Sequence, residues 1–127
     1  MSEQKTVRSI TGRQTTAGAA EETVNLSLDG AAPAASIAVG VGTTLTISDW
    51  IVTAVAAANF RLQQTNDGLA WFDIFLLRVA ADGTVGVSPF GVGLVVSGGT
   101  TTAVRVRAET TGGAAAVTTS IRGYTAP

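Results

Sequence analysis

Between Val39 and Val55 the chain reads VGVGTTLTISDWIVTAV, a Gly-bounded run dominated by β-branched residues. Such side chains are stiff at χ1 and pack well on a pleated surface, so the run reads as one long buried strand entered through a tight turn. A strand of this kind makes the protein a β-sandwich scaffold. Leu45 and Ile47 fall on one face. Strict alternation would then put Asp49 on that apolar face and Trp50 and Val52 on the other, which predicts a β-bulge between Ser48 and Trp50 where the phase slips.

Period-two patterning extends to both sides of this run. Val24, Leu26 and Leu28 alternate with Asn25 and Ser27 before Asp29-Gly30, and Ile37, Val39 and Val41 alternate before Gly42. Phe60 and Leu62 form a short strand, and Asn66-Asp67-Gly68 supplies residue types that tolerate positive φ in a hairpin turn. Trp71 to Val79 is apolar on both faces, the pattern of a strand that is central or lies at an interface. Asp82-Gly83, Gly98-Gly99 and Gly112-Gly113 punctuate the remainder at the spacing of a sandwich or barrel. The alanines between Val52 and Asn59 continue a β-branched strand and are not read as a helix. Met1 to Glu22 is polar and without hydrophobic periodicity, so the expected organisation is a flexible arm over residues 1–22 and a β-sandwich over residues 23–127.

Composition narrows the function. The chain of 127 residues has no histidine and no cysteine, which removes the usual general base, the usual soft metal ligands and the thiol nucleophile. No enzymatic activity, metal or cofactor is expected. Charged residues are 13% of the chain, few for a monomer of this size, and this suggests that partners cover some faces. Arg61, Arg78, Arg105, Arg107 and Arg122 are dispersed and the net charge is -1, which argues against nucleic acid as a partner. No apolar run approaches the roughly 20 residues that span a bilayer, so no membrane association is expected, and nothing marks secretory export.

Four residues stand out as candidate partner contacts. Trp50 and Trp71 could stack on a sugar if both faced one surface, although tryptophan in a strand more often ends in a core or interface. Arg105 and Arg107 alternate with Val104 and Val106, which places both guanidinium groups on one strand face, solvated or paired with a partner's acids. Asp67, in its Asn-Asp-Gly context, reads as a turn residue rather than as a calcium ligand.

The segments GTTLTISDWIV, FRLQ, WFDIFLLRVAADGTVGV, LVVSGGTTTAVRV and AAAVTTSIRGY together resemble the small jelly-roll proteins of tailed bacteriophage virions. That family shares a strand entered through a Gly-Thr turn with a Leu-x-Ile-x-Asp pattern, here Leu45, Ile47 and Asp49. It also shares a closing aliphatic strand ending in Gly-Tyr, here Gly123 and Tyr124. The similarity covers about residues 36 to 125. It implies an all-β, jelly-roll-like antiparallel β-sandwich of about eight strands, made in the host cytoplasm and carried on the capsid surface. Such a protein would be a homotrimer that decorates or cements a phage head through the major capsid protein. A glycan-binding or fibre domain recognising a host surface is the alternative.

Overall fold

The computed structural model describes residues 4–18, 20–88 and 93–127. Among these residues the chain forms eleven strands and no helix. They are β1 (Thr6–Thr15), β2 (Glu22–Val24), β3 (Leu26–Leu28), β4 (Ile37–Ala38), β5 (Thr44–Ala54), β6 (Ala58–Thr65), β7 (Phe72–Val79), β8 (Gly83–Val87), β9 (Leu94–Ser97), β10 (Ala103–Thr110) and β11 (Ala116–Ala126). Four of them, β2, β3, β4 and β9, have four residues or fewer, and the count exceeds the about eight that the resemblance implies.

The strands make two antiparallel sheets. The first runs β3-β1-β11-β5-β8, with β9 beside the opening half of β5, and the second runs β2-β10-β6-β7, with β4 in line with β2 along β10. Their facing sides bury Leu26, Ile47, Trp50, Phe60, Leu62, Val104, Val106 and Val117 completely, so the core lies between the layers of a β-sandwich as the alternation indicated. Ala54, Ala58 and Ala108 are also buried in this core.

The long strand has its bulge where the pattern requires it. Asp49 pairs with Arg122 and Ile47 with Gly123, so Ser48 is the extra residue, and its hydroxyl donates to the Arg122 carbonyl at 3.1 Å. The slip turns Trp50, Val52 and Ala54 into the core on the same side as Leu45 and Ile47. It also explains the glycine of the closing Gly-Tyr pair: a Cβ on residue 123 would lie 2.0 Å from the Thr46 carbonyl oxygen.

Two expectations are corrected. Residues 6–15 are not an arm. Thr6 through Thr15 pair residue for residue with Thr125 through Ala116 of β11, and Ile10 is 1% exposed in the core. Lys5 stacks on the Tyr124 ring at 4.8 Å, and beyond β1 the Thr16 hydroxyl is buried against Thr110 at 2.6 Å. The hold comes mainly from a backbone ladder, which leaves no hydrophobic period to read. Residues Met1 to Glu3 lie outside the described residues. The second correction concerns Val24 and Leu26, which belong to two strands rather than one. The chain crosses from one sheet to the other at Asn25, and both side chains still reach the core.

Trp71 to Val79, apolar on both faces, lies at the edge of its sheet rather than in the middle. Leu77 and Val79 point into the core, whereas Phe72 and Leu76 are 48% and 56% exposed.

Candidate interaction face

The outward face of the second sheet is built by β10, β6 and β7. Alternation along β10 buries Val104, Val106 and Ala108 and turns Arg105 and Arg107 outward. Register places Arg105 opposite Gln63 and Arg107 opposite Arg61, and a second bulge, at Ile74, sets Asp73 opposite Gln63. These polar side chains form one connected chain of contacts. Arg61 Nη1 donates to Asp73 Oδ2 at 3.0 Å, Gln63 Nε2 donates to Asp73 Oδ1 at 2.9 Å, and Arg105 Nε donates to Gln63 Oε1 at 2.8 Å. The Arg105 guanidinium lies over the Trp71 ring, 4.1 Å from its centroid.

Glu21 holds the other end. Its carboxylate bridges Arg61 Nε at 2.9 Å and Arg107 Nε at 3.2 Å, and Arg107 also donates to the Thr23 hydroxyl at 3.0 Å and to the Glu21 carbonyl at 3.3 Å. Burial holds the Arg105 guanidinium below its ordinary pKa, with the nearby Arg107 charge adding to the effect and Glu21 opposing it. It stays cationic at any physiological pH.

Three of the four residues singled out from sequence therefore meet here: Trp71, Arg105 and Arg107. Arg107 is already engaged by an acid of its own chain. Trp50 does not belong with them and is corrected as a contact residue, because the Ser48 bulge turns it into the core. It is 0% exposed, its Nε1–H donates to Thr119 Oγ1 at 2.8 Å, and its ring meets Phe75 edge-on at 6.4 Å. The two tryptophans consequently share no surface, and a paired stacking platform is not formed. Glu21, Gln63 and Asp73 escaped notice in the sequence. Glu21 stood in the presumed arm, and nothing local marks Gln63 and Asp73 as cross-strand partners.

Two further carboxylates serve local structure. Asp67 Oδ1 accepts from the Leu69 and Ala70 amides at 2.8 and 2.9 Å, and these bonds hold its pKa below the ordinary carboxylate value. Asp29 accepts from the Ser9 amide at 2.8 Å and from Arg8 at 2.7 Å, with the same effect on its pKa, which ties the turn after β3 to β1. On the opposite sheet, Thr11, Arg13, Asn25, Ser27, Thr118 and Ser120 line an open groove of about 480 Å³ whose lining has no carboxylate and no aromatic ring.

Beside the charged network, the edge of the sheet is apolar. Leu69, in the turn leading to β7, is 86% exposed, and Phe72 and Leu76 on β7 are exposed as well, on opposite faces of the strand. Lone exposed valines elsewhere are ordinary, whereas several large exposed apolar side chains on and beside one strand mark a surface suited to association. No family model, curated protein or solved structure matches the chain.

Proposed function

We propose that the chain is a structural virion protein that decorates or cements a phage head by oligomeric attachment to the major capsid protein. The observation that carries this reading is the exposure of the large apolar side chains Leu69, Phe72 and Leu76 on and beside β7, in a chain with neither histidine nor cysteine. Burial of those side chains against neighbours supplies cohesion without chemistry. Several such contacts, each weak alone, bind tightly when they act together on a repeating shell. The resemblance of residues 36 to 125 to virion jelly-roll proteins, and the assembly of such proteins as trimers, supports the same reading.

The test is cosedimentation of the purified protein with undecorated heads, alongside light scattering of the protein alone. Saturable pelleting with shells and an oligomer in solution are the expected results. A strict monomer that stays in the supernatant at micromolar concentration would overturn the proposal.

A further inference from the structure

The outward face of the first sheet carries a groove with the chemistry of a saccharide site, and we infer that it binds an acidic sugar, a sialic or uronic acid, through Arg13. The groove lies on the sheet opposite the surface proposed for attachment, so this inference goes beyond that reading and does not depend on it.

Alternation places the side chains of the groove. Ile10 on β1 and Val117, Thr119 and Ile121 on β11 point into the core, so Thr11 and Arg13 point outward together with Thr118 and Ser120. Thr11 stands directly opposite Ser120 on one side and Ser27 on the other, and Arg13 stands opposite Thr118. Three hydroxyl groups thus cross three adjacent strands at steps of about 4.8 Å, and Arg13 follows Thr11 along β1 at about 7 Å. Asn25 and Pro33 complete the lining, Pro33 next to the two backbone hydrogen bonds that join Leu26 and Ala34 at 2.7 and 2.8 Å.

Arg13 is a cation without a counter-ion. Arg8, Arg61 and Arg107 each reach a carboxylate of their own chain, at 2.7, 2.9 and 3.2 Å, whereas Arg13 is exposed and has no ion pair or side-chain hydrogen bond. Among the described residues the hydroxyls of Thr11, Ser27 and Ser120 and the side-chain amide of Asn25 have no hydrogen-bond partner either. A guanidinium fork so placed offers parallel N–H donors to a carboxylate. Hydroxyls and an amide both donate and accept, which suits the hydroxyl groups of a sugar. With a saccharide ring laid over Thr11, Ser27 and Ser120 flank it and its carboxylate reaches Arg13.

Size and charge narrow the occupant. At about 480 Å³ the groove has the volume of a small-molecule site, and a lone sulfate or phosphate would leave most of it empty. One arginine in a lining without carboxylates matches a single negative charge. A neutral sugar would find neither a charge to pair with nor a ring to stack on, since no aromatic residue lines the groove. Neither tryptophan takes part: Trp50 is sealed in the core, and Trp71 lies under Arg105 on the second sheet.

Calorimetry and saturation-transfer NMR with 3′-sialyllactose, glucuronic acid, lactose and sodium sulfate test the assignment. One of the two acidic sugars should bind at a single site with an affinity that falls as salt is added, and whichever binds names the class of acid; lactose should not bind. Arg13→Gln should melt as the wild type does, because the side chain is exposed, and should bind the acidic sugar at least ten-fold more weakly. Arg122→Gln, an exposed change on the same sheet outside the groove, should leave the affinity unchanged. Sulfate binding as tightly as the sugars, no binding of either acidic sugar, or binding that survives Arg13→Gln would each overturn the assignment. None of these results bears on attachment through the second sheet, which cosedimentation tests separately.

Discussion

Replacing Trp50 with phenylalanine removes one donor and part of one ring from the centre of the sandwich. The indole N–H donates to Thr119 Oγ1 at 2.8 Å, and both residues are sealed from water, at 0% and 2% exposure. Loss of the donor strands the Thr119 hydroxyl in the core, which costs about 1 to 3 kcal/mol. The smaller ring leaves a void beside Phe75 that adds about 1 to 2 kcal/mol. Trp50→Phe should therefore destabilise by roughly 2 to 5 kcal/mol, the sum of those two terms. Thr119→Val alone should cost about 1 to 3 kcal/mol, because it strands the indole N–H instead. The double variant should be less damaged than the sum of the singles by about 1 kcal/mol or more, since neither polar group then remains without its partner. Urea unfolding followed by far-UV circular dichroism gives all four free energies without relying on the altered tryptophan. Strict additivity, or an unchanged midpoint for Trp50→Phe, would refute the assignment of this pair to the sealed core.

Leu77, 8% exposed on the inward side of β7, should cost roughly 2 to 4 kcal/mol on truncation to alanine, read as a lowered urea midpoint at unchanged slope. Deletion of residues 1–15 should abolish cooperative unfolding, because it strips β1 from between β11 and β3; a truncated chain that melts like the full one would refute the pairing. Asp29 has its folded pKa held below 3.8, chiefly by the Ser9 amide and then by Arg8, so its contribution is present above that value and is lost as the pH falls through the folded pKa. Acid titration of Asp29→Asn should accordingly show a shallower loss of stability below about pH 4 than the wild type, while an identical acid limb would remove Asp29 from the account.

The sandwich was legible because β5, β6 and β10 carry their core residues at period two and their turns carry glycine. Even the Ser48 bulge could be placed, since Asp49 breaks an otherwise strict alternation. β1 was invisible for the opposite reason. Of its inward positions only Ile10 is a large apolar residue, alongside Arg8, Gly12 and Gln14, and a Cβ at Gly12 would lie 2.7 Å from the Asn25 carbonyl where the chain crosses between sheets. Strand β7 shows how far hydrophobicity carries: apolar residues on both faces pointed to a strand that is central or at an interface, and the structure places it last in its sheet with Phe72 and Leu76 exposed. Of the interaction face, Arg105 and Arg107 followed from alternation alone. Their contacts with Trp71, Gln63 and Glu21 depend on pairing between distant segments, which no local pattern encodes.

The placement of β11 between β1 and β5 has a consequence for synthesis. Strand β1 has its principal partner in β11, about a hundred residues further along, so apart from the short ladder to β3 it must wait until β11 has emerged. Pairings that distant in sequence are slow to close, and the delay exposes unpaired strands to other chains. A nascent chain stalled before Ala116 would hold β1 and β5 with a vacant lane between them.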